Sequence, residues 1–252
     1  VVVNGRKIAV FCYHFPHKKT QDFLLRLFLE EVKTEAIFAS EWVDLKLAGS
    51  SLRTKIRHHA LVHPQQIAAR IGLGADYFVL PHNSTDTVKM IRERGLDLGI
   101  IAGARILTTE VLDSFRLGII NFHPGLLPEA RGLDALLWSV YEGLPLGVTA
   151  HLVDEQVDAG TLIFKERIPV YEDDTFLDLQ VRLQEKQVEM LVPAIKKVFH
   201  KAALKENEQN ELPVRLPAKT AYHHQMTPEL AQKAITLLPD YVRRYKEAEV
   251  DL

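Results

Sequence analysis

Three consecutive stretches near the start of the chain constrain its fold more than any other feature. KIAVFCY (Lys7–Tyr13) is a near-continuous apolar run, the pattern of a strand buried on both faces. TQDFLLRLFLEEV follows, with Phe23, Leu24, Leu27 and Phe28 on one helical stripe and Thr20 placed to cap it. EAIFAS (Glu35–Ser40) is a second short strand. Strand, helix and strand in this order open an α/β sheet.

The alternation continues. Pro64 suits a helix start, with Gly72 and Gly74 beyond the helix, and YFVLPHN reads as a short strand or an extended loop. Asn83 or Ser84 caps a helix that Gly95 ends. LDLGIIAG (Leu96–Gly103) is a strand, a helix is expected from about Thr108 to Phe115, and LGIINFH is the next strand. Gly132–Gly143 reads as a helix, GVTAHLVD and TLIFKERIPV as strands, and the stretch from Thr175 as a long helix with Pro193 as a kink. The fold class expected is α/β: an open, Rossmann-like, mostly parallel sheet with flanking helices and a small C-terminal appendage. Residues 1–200 would form the core and 201–252 the extension, with a helix near Pro228–Leu238.

Composition limits the partners. The 252 residues carry a formal net charge of −2, with 47% hydrophobic and 25% charged residues. That balance gives no electrostatic reason to expect a nucleic acid or membrane partner. No apolar run approaches spanning length. Cys12 is the only cysteine, so a thiolate metal site has no partners and no intrachain disulfide forms. VVVNGRK lacks a signal-peptide layout, and the expected location is cytoplasmic.

Polar chemistry gathers in INFHPGLLPEARG (Ile120–Gly132), where an apolar strand stops at Asn121 and His123 follows two residues later. Open α/β sheets place their sites beyond the C-terminal ends of strands, and the strand period of two aims both side chains the same way. A second cluster, HLVDEQVDAG, carries His151 and Asp158, with Asp158 in a turn between two strands and able to reach back. An Asp beside a His orients the ring, and an Asn amide donates to a developing oxyanion. Such a set transfers an acyl group without a nucleophilic residue. Taken singly, each also reads plainly: Asn121 and Asp158 as turn residues, His123 and His151 as structural histidines.

GIINFHPGLLPEARG with LGVTAHLVDEQVDAGTLIF closely resembles the folate-dependent formyltransferase family. Its signature is an N-x-H-x-S-L-L-P segment followed by G-x-T-x-H and D-x-G, and the similarity covers about residues 96–168. The resemblance implies N10-formyltetrahydrofolate as formyl donor and no metal. It makes Asn121, His123 and Asp158 the catalytic residues, with His151 lining the formyl site. It makes Ala102, Gly103, Ala104, Arg105, Ile106 and Leu107 the folate contacts. Gly125 departs from the family, which usually has serine there.

The acceptor implied is a small-molecule amine. A nucleotide-linked amino sugar is favoured because LLPEARG and Trp138 match the sugar enzymes, and CYHFPHKKT replaces the glycine-rich phosphate loop of the ribonucleotide enzyme. Lys18 and Lys19 in that stretch read as a solvated turn, or as phosphate contacts. Glycinamide ribonucleotide formyltransferase, formyltetrahydrofolate deformylase and a noncatalytic folate-binding relative are the alternatives. Homodimerisation is carried over from related sugar enzymes. His59 and His63 have metal-ligand spacing only if helical, and Phe11, Tyr13 and Trp138 read as core residues or acceptor-pocket lining.

Overall fold

The computed structural model describes residues 5–43, 60–156, 158, 160–204, 214–217 and 222–246. Among these, a single sheet of 7 strands runs in the order β3-β2-β1-β4-β5-β6-β7. β1 (Ile8–Tyr13), β2 (Thr34–Ser40), β3 (Asp76–Val79), β4 (Leu98–Ile101) and β5 (Ile119–His123) are parallel. β6 (Gly147–Leu152) and β7 (Thr161–Arg167) continue the sheet antiparallel. The chain therefore winds one way from β1 to β3 and the other way from β4 onward. That reversal between β1 and β4 is where such sheets open a crevice. The α/β architecture read from the alternation of apolar runs is the one observed.

β1 shows why the runs are continuous. Ile8, Val10 and Cys12 face one core, while Ala9 and Phe11 face the other. Both faces are covered by helices, so neither tolerates a polar residue. On the first face, α1 (Lys18–Leu29) buries Phe23, Leu24 and Leu27. Each such side chain contributes ~1.5–3 kcal/mol relative to exposure. α2 (Pro64–Ile71), α5 (Ala135–Glu142) and α6 (Phe176–Ala203) complete this layer. On the second face lie α3 (Thr85–Arg94) and α4 (Thr109–Leu112), with Ile91, Val111 and Leu112 buried.

Several boundaries differ from the sequence reading. α1 is capped by His17, whose side chain accepts from the Thr20 amide, and Thr20 instead lies inside the helix. Its hydroxyl donates to the Ala102 carbonyl. α4 is shorter than the helix expected over Thr108–Phe115. Ser84 caps α3, whereas Asn83 bridges to the loop after β4, donating to the Ile106 carbonyl and accepting from the Thr108 amide, both at 2.9 Å. α6 carries a Thr175–Asp178 capping box and runs through Pro193. α7 (Pro228–Tyr245) extends past the expected end at Leu238, through Pro239, and packs on α5. Met226, Ala231, Ala234, Tyr241 and Val242 share the core of the first face. Residues His58 and His59 lie outside the described residues. His63 caps α2.

Candidate active site

The site begins with the end of β5. Asn121 and His123 project to one face, as the strand period requires. Antiparallel pairing with β6 sets His151 opposite Asn121 and Thr149 opposite His123. Asn121 Nδ2 lies 3.3 Å from His151 Nε2. With the amide donating, His151 carries its proton on Nδ1, and the second Asn121 N–H is left for another acceptor. His151 Nδ1 is buried, with no hydrogen-bond partner among the described residues.

Asp158 comes from the β6–β7 connection. Its φ of 51° is left-handed, a conformation Asp adopts more readily than most residues. This kink turns the carboxylate back over the sheet end. Oδ1 stands 3.6 Å from His123 Nδ1 and 3.9 Å from His151 Nε2, and Oδ2 accepts from the Gly132 amide at 3.1 Å. His123, His151 and Asp158 are all buried. The structure thus brings together Asn121, His123, His151 and Asp158, the four residues singled out near the formyl position.

The electrostatics follow from burial. Desolvation lowers the His151 ring to about 4, against the opposing pull of Asp158, so this ring is neutral at pH 7. Lys19 is the residue sequence reasoning missed. Lys18 is the first residue of α1 rather than part of a turn, and it pairs at the surface with Asp22 at 2.6 Å. Lys19 is turned inward, and its Nζ donates at 3.0 Å to the carbonyl of Phe122, the residue between Asn121 and His123. Desolvation lowers it to about 7, with Asp158 opposing. No local pattern distinguishes the two lysines. The difference arises because the first turn of α1 lies over the end of β5, two strands away from β1 in the sheet.

The six residues read as folate contacts separate. Ala102 and Gly103 are buried where the chain leaves β4, with both amides bonded to the Phe11 carbonyl. Leu107 is buried in the second core, whereas Arg105 and Ile106 are exposed. The Ala104 carbonyl accepts from the Tyr13 hydroxyl at 3.2 Å. Arg105 lines a cavity of about 210 Å³ with Tyr13, Glu41, Val79 and Asn83. A larger cavity of about 730 Å³ lies against the Asp158 connection, lined by residues including Thr109, Leu112, Val153, Asp154, Glu155 and Gly160. None of Asn121, His123, His151 and Asp158 lines it. Phe11 is a core residue, and Trp138 stacks on His223 with its Nε1 donating to the His224 carbonyl.

Among the described residues, no group of three or more His, Cys, Asp or Glu side chains has the arrangement to hold a metal ion, and no helix is long and apolar enough to cross a membrane.

The fold is that of a formyl transferase, and the strand-end cluster is its candidate site. The family profile described as formyl transferase matches residues 62–195, over half of the chain, and the chain belongs to that family. It is similar to the methionyl-tRNA formyltransferase of Fusobacterium nucleatum, 33% identical over 135 residues, covering 52% of this chain and 43% of that protein. The match thus spans less than half the length of this curated relative. The phosphoribosylglycinamide formyltransferase structure from Streptococcus pneumoniae TIGR4 superposes with a TM-score of 0.57 at 25% identity, covering 77% of this chain and 99% of that one. A sugar N-formyltransferase from Shewanella sp FDAARGOS_354 gives 0.59 at 20% identity, covering 91% and 87%. No subfamily stands apart, and ribonucleotide enzymes are at least as well represented as sugar enzymes among the structural matches. The preference for an amino-sugar acceptor is not supported over the ribonucleotide alternative.

Proposed function

We propose that this chain transfers a formyl group from N10-formyltetrahydrofolate to the primary amine of a small molecule. The observation that carries the reading is the convergence of an amide, an imidazole and a carboxylate, with Asp158 Oδ1 3.6 Å from His123 Nδ1 beside Asn121. The folate donor supplies an activated formyl carbon.

The chain's own residues do the rest. Asn121 directs its spare N–H at the formyl oxygen, where negative charge develops. His123 turns Nδ1 toward the same centre, beside Asp158. Asp158 accepts the proton that the acceptor amine sheds on attack, and the bond from the formyl carbon to N10 then breaks as N10 takes up a proton and tetrahydrofolate leaves. His151, neutral and buried, orients the Asn121 amide through Nε2. No covalent bond to the enzyme forms in this scheme.

Glycinamide ribonucleotide is the leading acceptor, supported by the similarity to the Streptococcus pneumoniae enzyme over nearly all of that chain. A nucleotide-linked amino sugar is the second reading. It is favoured by LLPEARG, by Trp138, and by a β1–α1 connection (His14–His17) that lacks glycine. The test incubates protein and donor with glycinamide ribonucleotide, with a panel of nucleotide amino sugars, and with no acceptor. Formylated ribonucleotide is expected. A formylated sugar alone selects the second reading. Donor hydrolysis without any amine product marks a deformylase, and donor binding without turnover removes the proposal.

A further inference from the structure

His123 is held from a side that the four-residue site does not include. Its Nε2 lies 2.6 Å from the backbone carbonyl of Ala130. A carbonyl oxygen only accepts, so Nε2 carries a proton and donates it. On the opposite edge Nδ1 faces Asp158 Oδ1, at a looser 3.6 Å. The two ring nitrogens therefore differ in kind: one is tied to the backbone at short range, and the other is turned into the site with room beside it.

Gly125 makes that contact sterically available. A Cβ at position 125 would meet the Ala130 oxygen at 2.8 Å, the Ala130 Cβ at 2.9 Å and His123 Nε2 at 3.0 Å. Real Cβ atoms essentially never show contacts below 3.0 Å, so any side chain there pushes Ala130 away from the ring. The surrounding loop cannot absorb the shift easily. Thr149 Oγ1 donates to the Gly125 carbonyl at 2.8 Å and accepts from the Leu127 amide at 3.0 Å, and the Ala130 amide donates to the Leu126 carbonyl at 3.0 Å. Ala130 itself is buried.

We infer that the Ala130 carbonyl, admitted by the missing side chain at Gly125, is a positioning group that fixes the proton on His123 Nε2 and leaves Nδ1 as the nitrogen that serves the reacting centre. Ala130 acts through His123 and touches no substrate. The catalytic consequence rests on reading this site as a formyl-transfer centre. The fixed proton position does not.

The test is 15N NMR of protein labelled at the histidine ring nitrogens, with a His123→Gln variant to assign the signals. In wild-type protein titrated to the neutral ring, the proton is expected on Nε2. In Gly125→Ala it is expected to move to Nδ1, where Asp158 accepts it, and kcat should fall at least ~10-fold, because a wrong tautomer disables the ring. Tetrahydrofolate binding should be retained. Gly125→Ser offers a hydroxyl near the displaced oxygen, and is expected to restore the Nε2 proton and much of the turnover. A wild-type neutral ring protonated on Nδ1 overturns the inference without any variant having to fold. So does a folded Gly125→Ala protein with wild-type tautomer and kcat. The Nε2 proton in a protein that transfers no formyl group supports the lock and removes only the functional reading.

Discussion

The backbone amide of Gly132 donates to Oδ2 of Asp158 at 3.1 Å. One carboxylate oxygen is thereby anchored, and Oδ1 is left to face His123 and His151. Gly132 is itself pinned from behind. Residues 131–133 pair with His223, whose amide donates to the Arg131 carbonyl and whose carbonyl accepts from Leu133. The C-terminal part of the chain thus reaches to within two hydrogen bonds of the candidate catalytic carboxylate.

That contact makes Gly132 sensitive. Its φ is 108°, and a Cβ would meet the His223 carbonyl oxygen well inside van der Waals distance. Gly132→Ala should destabilise the fold by ~1–3 kcal/mol, the usual scale of such backbone strain. It should also reduce turnover, because Asp158 loses its anchor. Chemical denaturation and steady-state rates measured on one preparation check both. An unchanged midpoint with unchanged kcat would contradict the coupling.

Asp158→Asn and His123→Ala should each lower turnover at least ~100-fold while the fold survives. Both keep the sheet and its cores intact, since neither side chain belongs to an apolar cluster. Asn121→Ala should fall in the same range through loss of the oxyanion donor. Circular dichroism beside the kinetics separates chemistry from folding. Near-normal turnover in any of the three would remove that residue from the mechanism.

Acid should destabilise the protein through one buried ring and one half-buried ring. Desolvation lowers His151 and His17 from 6.5 to about 4, with Lys19 adding to the effect at His17. As pH falls, the unfolded chain takes up these protons first. Their contribution is full above about 6.5 and is lost as pH falls through about 4. His17→Asn preserves a side-chain cap for α1. It should flatten the fall of Tm between those values, as calorimetry at stepped pH would show. A slope equal to that of the wild type would rule His17 out.

Lys19 predicts the opposite flank. Burial lowers it from 10.5 to about 7, so in that window the unfolded chain binds the extra proton and stability rises with pH. Lys19→Met keeps the length of the side chain but removes the titration. The rise in Tm between about 7 and 10.5 should be smaller in the variant. Identical profiles would mean that Lys19 is solvated.

Much of this architecture is written locally. The apolar runs of β1 and β2 specify strands because both faces of a parallel sheet are covered, and the stripe of Phe23, Leu24 and Leu27 specifies the helix that covers one of them. Asn121 and His123 are legible as a pair because the strand period is two. Asp158 is legible as a turn residue able to reach back. What local pattern leaves open depends on approach between segments far apart in the chain. Lys18 and Lys19 are neighbours of one type, yet only the second meets the Phe122 carbonyl, 103 positions away. Ala130 contributes a backbone oxygen, which no side-chain pattern announces. The tail reads as an appendage because its prolines and polar residues break periodicity, yet α7 packs on α5 and residues around His223 pair beside Gly132. Sequence determined the strands, the helices and the chemical groups at the end of β5, because those follow from hydrophobic periodicity and residue type. Tertiary structure decided which atom each ring nitrogen meets, which lysine is desolvated and what anchors Asp158, because these depend on distances of about 3 Å between atoms that only packing brings together.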